Sequence, residues 1–260
     1  MHNWGAKKSL DPDKQYGARI GPLMLWFKYS FDEIQIATDY IEPDIDAIKG
    51  ITFSIVNESE NESLNWKRWI VGNNNNSISI LPIMPDRPVV VRPDVPVKIP
   101  EGNEVLFFVS IPTWAKIVVN NPKESTLCQE PSVMLSNTWF GDPMSGELCY
   151  SLRTTARRQI IKTNPKPHSA VCPVCIRNTG KSQLDVDRLC IHVDYLNIYR
   201  GAKRLWTNEV SINFRGEDIA SKIEYIQKDP NYEKIDEMIC KAEKPWEKTV
   251  FKKVCGHLKR

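Results

Sequence analysis

Hydrophobic and polar residues alternate at period two along most of the first 215 positions, the spacing of a half-buried strand. In LMLWFKYSF, Leu23, Leu25, Phe27, Tyr29 and Phe31 fall on one face, and in ITFSIV so do Ile51, Phe53 and Ile55. VLFFVSI follows the turn signal PEGNE and is apolar nearly throughout, the pattern of a strand buried on both faces. Further strands are predicted at GELCYSLR, AVCPVCIR, DRLCIHVDYL and RLWTNEVSINF. NNNN at 73–76 is a loop, and the six prolines from Pro82 to Pro100 suit edge strands and extended connections. Short strands and turns at this density define an all-β, β-sandwich class.

The period changes after residue 216. Ile219, Ile223 and Ile226 fall at helical spacing, as do Ile235, Met238, Ile239 and Ala242, then Trp246, Val250 and Val254. With Pro230 and Pro245 as breaks, this predicts a short helical C-terminal tail over 217–260, packed on the β body.

Internal echoes divide the rest. Trp26-Phe27 precedes Glu33-Ile34 as Trp139-Phe140 precedes Glu147-Leu148. Asn57 precedes Leu64 and Arg68 as Asn178 precedes Leu184 and Arg188. The expected organisation is an N-terminal arm (1–15), a first β-sandwich unit (16–120), a linker (121–131), a second, duplicated unit (132–216), then the tail. Shared positions are then structural: Trp26 and Trp139 as core aromatics, Asn57 and Asn178 as turn residues satisfying nearby backbone.

The 260 residues are 41% hydrophobic and 26% charged, an ordinary globular composition. No apolar run reaches the roughly 18 residues of a membrane helix, and the N-terminus lacks the apolar stretch of a secretory signal. A cytoplasmic location is therefore expected, with seven cysteines as free thiols. A net charge of +3 is too small to imply nucleic acid. Its distribution says more. Nine acids and one lysine lie between Tyr29 and Glu62. Between Leu148 and Leu184 there is no acid, against Arg153, Arg157, Arg158, Lys162, Lys166, Arg177 and Lys181. Such segregation marks an anion-binding surface or two segments that face each other.

The stretch SAVCPVCIRNTG poses a metal question. Alternation places Cys172 with Val174 and Ile176 on the core face and Cys175 on the other, so this C-x-x-C cannot chelate through both sulfurs within one strand. Cys172 reads as a small buried hydrophobe. Cys190 and His192 share a face. Were their strand to pair with that of Cys175, the three side chains and His168 would converge into a mixed sulfur–nitrogen zinc site. A thioredoxin-like role lacks its βαβ context. No phosphate loop, H-E-x-x-H or G-x-S-x-G occurs, and nothing in the chain nominates an enzyme.

LSNTWFGDPMSGELCYSLRTTARR carries a family resemblance. Asn137-Thr138-Trp139-Phe140-Gly141-Asp142, Gly146-Glu147-Leu148-Cys149-Tyr150, Cys172-Pro173-Val174 and Asn178 resemble a prokaryotic family catalogued as domain of unknown function number 432. RPVVVRPDVPVKIP and VSIPTWAKI are also similar to it. The resemblance implies a cytoplasmic protein sometimes encoded near small-conductance mechanosensitive channels, and it implies no catalytic residues. The residues themselves lead to a non-catalytic binding or regulatory module. Arg153, Arg157, Arg158 and Lys162 would meet an anionic ligand or an acidic protein surface, with no cofactor. The alternative is a zinc protein, structural or catalytic, using Cys175, Cys190 and His192.

Overall fold

The computed structural model describes residues 4–41, 50–56, 64–72, 75–120, 124–160, 165–216, 219–246 and 250–252. Over these the chain is almost entirely β, apart from a 3-10 turn at Val193–Tyr195. No helix among the described residues is long and apolar enough to cross a membrane. The chain forms two compact units. The first comprises Met1–Ile83, Pro112–Val133 and Pro165–His168; the second comprises Met84–Ile111, Met134–Asn164 and Ser169–Arg260. These are interleaved, unlike the contiguous division at 120 and 132 expected from the echoes. Residues 104–112 explain why: this strand pairs with Ser169–Asn178, far along the chain.

The first unit has two antiparallel sheets. One runs in the order Thr52–Val56, Gln15–Ile20, Leu23–Ser30, Glu33–Tyr40, Lys67–Ile70. The other runs Lys8–Ser9, Ser77–Ile83, Trp114–Asn120, Glu124–Pro131. The predicted face of Leu23, Leu25, Phe27 and Tyr29 is buried. Phe31 departs from it, at 77% exposure, because Ser30 already pairs with Glu33 and Phe31 must turn the hairpin at φ +54°.

In the second unit, Ser169–Asn178 is the central strand of an eight-stranded sheet. It pairs in parallel with Leu205–Thr207 through Ala170 and Val171, then with Val210–Phe214 from Val174 onward. Pro173, which has no N–H to donate, stands where the partner changes. Cys172, Val174 and Ile176 enter the main core with Phe107, Val109, Ile111 and Ile212. Asn178 is fully buried. Its Nδ2 donates to the Ile99 and Ser182 carbonyls, and its Oδ1 accepts from the Gly180 N–H.

The expected helical tail is made of strands: Ser221–Tyr225 beside Val210–Phe214, Ile235–Cys240 beside Ile198–Gly201, and Val250–Lys252 beside Ser221–Tyr225. Ser221, Ile223 and Tyr225 are buried while Lys222 and Glu224 are not, a period-two pattern that the spacing of Ile219, Ile223 and Ile226 masked. Trp246 packs instead as a loop aromatic against Tyr195 and Tyr225. The echoed positions also differ in surroundings. Trp26 is buried opposite Ala37, whereas Trp139 is 46% exposed opposite Leu148. Trp139 lies on an edge strand and closes over its own turn, with Nε1 donating to the Asp142 carbonyl. Asn57 lies outside the described residues.

One turn of the first unit is tightly specified. Gly21 has φ +62°, and a Cβ there would sit 2.3 Å from Nδ1 of His168. The His168 backbone is held beside this turn, because its carbonyl accepts from the Thr113 N–H and the Ser132 hydroxyl. Gly72 also has positive φ, +78°, but open space around it. Gly21→Ala is expected to cost roughly 2–4 kcal/mol, strain and clash together. Gly72→Ala should cost only the strain, about 1 kcal/mol. Urea denaturation of the two variants measures the difference.

The same histidine makes stability depend on pH. Burial, with Lys166 nearby, pushes the His168 imidazole down from 6.5 to about 4. Between those values the unfolded chain takes up a proton that the folded chain does not. The contribution is complete above pH 6.5 and is lost as pH falls toward 4, by about 3 kcal/mol at most. Denaturation midpoints should therefore drop across that window in the parent protein and drop less in His168→Gln.

Candidate functional site

The site is one face of a four-stranded mixed sheet in the second unit. Its strands run in the order Asn137–Phe140, Glu147–Thr154, Val89–Pro93, Leu189–Ile191. Pro88 and Pro93 bracket the third strand, leaving Val89–Val91 free to bond on both edges. Val89, Val91, Leu189 and Ile191 are in the main core, and Tyr150 and Leu152 pack against it. Alternation sends the intervening residues to the other face: Val90, Arg92, Glu147, Cys149, Ser151, Arg153 and Cys190.

Two clusters occupy that second face. The first holds Glu147, Cys190 and His192, whose ligand-type atoms all lie within 4.8 Å of one another. His192 Nε2 and Glu147 Oε1 are hydrogen-bonded at 2.8 Å. The His192 N–H donates to the Tyr225 hydroxyl, fixing the backbone that carries the ring. Burial raises the Tyr225 phenol well above its ordinary range, so it stays protonated. Cys149 Sγ is 4.0 Å from Cys190 Sγ, and both sulfurs are buried with Val90 and Phe140.

The second cluster is basic. Arg153 pairs in register with Arg92 on the adjacent parallel strand, so the two guanidinium stems rise side by side. With Pro93 and Asp94 they line a depression of about 350 Å³. Arg92 reaches Thr138 Oγ1 at 3.4 Å through Nη2, and its Nε is buried without a hydrogen-bond partner. Arg188, just before the fourth strand, lays its guanidinium over the Phe140 ring at 5.4 Å. Arg68, Arg87, Arg177, Arg200 and Arg204 each hold a carboxylate, whereas among the described residues Arg92, Arg153 and Arg188 have no ion pair.

The predicted site residues are distributed as follows. Arg153 lies on this face and is exposed. Arg157 and Arg158 are exposed beyond the strand, where the Arg157 carbonyl accepts from the Phe108 N–H in an isolated bridge. Lys162 lies outside the described residues. Cys190 and His192 come together, but Cys175 does not join them. Its strand pairs with Glu104–Pro112, Leu205–Thr207 and Val210–Phe214, whereas that of Cys190 pairs with Val89–Pro93. Cys175 stands opposite Ser211, its thiol pushed up first by burial and then by Glu209 and Glu104. His168 belongs to the first unit. Sequence reasoning missed Arg92, Glu147 and Cys149. The alternation E-x-C-x-S-x-R already put Glu147, Cys149 and Arg153 on one face. Nothing local said that this strand lies beside Val89–Pro93.

Fold and face together define an all-β protein with a thiol–imidazole–carboxylate cluster and an arginine pair on one sheet surface. The chain belongs to the family described as protein of unknown function (DUF432), whose match spans residues 4–256. No curated protein and no solved structure matches it.

Thiol reactivity reports this arrangement. Burial pushes the Cys172 thiol up to about 12, and Cys172 is fully enclosed, whereas Cys175 is half-buried. Native-state alkylation followed by mass spectrometry should label Cys175 well before Cys172. Labelling of both at one rate would contradict the strand assignment.

Proposed function

We propose that the protein is a non-catalytic binding module that grips an anionic group, phosphate or carboxylate, on the second face of this sheet. The observation that carries the reading is the in-register pair Arg92–Arg153, lining one depression with no ion-pair partner among the described residues. Like charges side by side on a sheet destabilise it. An oxyanion between them converts that repulsion into charge-assisted hydrogen bonds, for which the planar guanidinium fork is suited. Arg157 and Arg158 extend the positive surface outward and would meet a larger ligand or the acidic surface of a partner protein.

Calorimetric titration with inorganic phosphate, pyrophosphate and a glutamate-rich peptide tests this. Binding of at least one should weaken steeply between low and physiological salt, where exposed charges are screened beyond about 8 Å. Arg153→Glu should cost tenfold or more in affinity, and the triple change Arg153→Glu, Arg157→Glu, Arg158→Glu should abolish binding. The melting temperature should stay nearly constant, because all three side chains are exposed. Failure of all three probes to bind the parent protein, or unfolding of the triple variant, would sink the reading.

A further inference from the structure

We propose that Glu147, Cys149, Cys190 and His192 form a transition-metal site of the zinc class. The ligands come as two i, i+2 pairs, E-x-C on Glu147–Thr154 and C-x-H at the end of Leu189–Ile191. That is the spacing at which a strand presents two side chains on one face. Zinc bonds of about 2.3 Å to sulfur and about 2.0–2.2 Å to nitrogen or oxygen separate tetrahedral ligand atoms by roughly 3.3–3.8 Å. Here the two sulfurs are 4.0 Å apart, and the Cys190, His192 and Glu147 atoms all lie within 4.8 Å of one another. The Cys149 sulfur touches Cys190 but stands outside the 4.8 Å group, so its side chain has to turn further than the other three to complete the shell. The 2.8 Å contact between His192 Nε2 and Glu147 Oε1 opens as both turn toward a shared ion.

The chemistry of the set selects the ion. Calcium and magnesium take oxygen ligands, whereas two thiols, an imidazole and one carboxylate favour zinc or another thiophilic divalent metal. Cys149 and Cys190 are 0% and 4% exposed and His192 is 9% exposed, so three of the four ligands are shielded and solvent reaches the ion only past the 38%-exposed Glu147 side chain. Four protein ligands give it the character of a structural site. A disulfide is a poor use of the same thiols. Their strands flank Val89–Pro93 on opposite sides, two strand spacings or roughly 9.5 Å apart. A disulfide spans Cα atoms no more than about 7 Å apart.

The test uses the full chain without an affinity tag, stripped with a chelator under reducing conditions and titrated with Co(II) and then Zn(II). One equivalent of Co(II) should produce tetrahedral visible bands and a near-ultraviolet thiolate-to-cobalt band, both erased by one equivalent of Zn(II). Zinc should also raise the melting temperature. Cys149→Ser should roughly halve the thiolate band, in proportion to the sulfur ligands left. Cys190→Ser should weaken Co(II) at least a hundredfold, and Cys175→Ser should leave the spectrum unchanged. The parent titration decides even where a variant fails to fold. Absence of the bands at equimolar Co(II), retention of the full thiolate band in Cys149→Ser, or isolation of a Cys149–Cys190 disulfide would each overturn the site. None of these readouts depends on the arginine pair, so anion binding and metal binding stand or fall separately.

Discussion

Strand Val89–Pro93 is hydrogen-bonded on both edges, in parallel to Glu147–Thr154 and antiparallel to Leu189–Ile191. Everything on the candidate face depends on that double pairing. It fixes register, and register in a strand fixes which side chain goes to which face. A slip of one residue would carry Arg92 and Cys190 into the main core and expel Val89, Val91 and Ile191. The apolar side therefore holds the polar side in place. Four fully or nearly fully buried side chains, Val89, Val91, Leu189 and Ile191, make any other register costly, at about 1.5–3 kcal/mol for each exposed.

Such a face is not what stability alone would select. Arg92 and Arg153 repel across the strand pair, the Arg92 Nε is buried without a partner, and two thiols are enclosed beside a half-exposed carboxylate. A valine or threonine at each position would suit a strand better. Where a fold tolerates unfavourable polar groups in one place, a ligand is the natural counterpart, since it offsets the cost only when bound. The contrast with Arg177 and Arg68 is direct. Both are exposed and both already hold a carboxylate, Glu104 and Glu33 respectively.

The legible part of this fold was its local part. Alternation gave the all-β class, the inward direction of Cys172, and the core face of Leu23, Leu25, Phe27 and Tyr29. Asn178 also behaves as a residue that satisfies nearby backbone groups. Long-range pairing was hidden. Nothing in the local pattern put residues 84–111 with the second unit, or Glu147 beside His192. The tail misleads for a definable reason: in SKIEY the period-two signal is short and one of its three buried positions, Ser221, is polar, so the wider spacing of Ile219, Ile223 and Ile226 reads as helical. Cys175 was read correctly as facing away from Cys172, but toward the wrong partners, because its strand joins a different sheet from that of Cys190.

With the proposed zinc site loaded, the two clusters on the face would be coupled only weakly through charge. A metal takes cysteine as thiolate, histidine as neutral imidazole and glutamate as carboxylate. Two thiolate ligands together offset the two positive charges of a divalent ion. The field felt at Arg92 and Arg153 stays much the same with or without zinc. A phosphate group in the depression should then bind with similar affinity to the apo and the zinc-loaded protein at neutral pH. Any coupling would instead pass through rigidity, because a metal clamping Cys149 to Cys190 ties together the two strands that flank Arg92. Such coupling appears as a change in the entropy of phosphate binding with little change in its salt dependence. A large change in the salt slope on adding zinc would mean that the metal alters the charge on the face, and that the thiols are not its ligands.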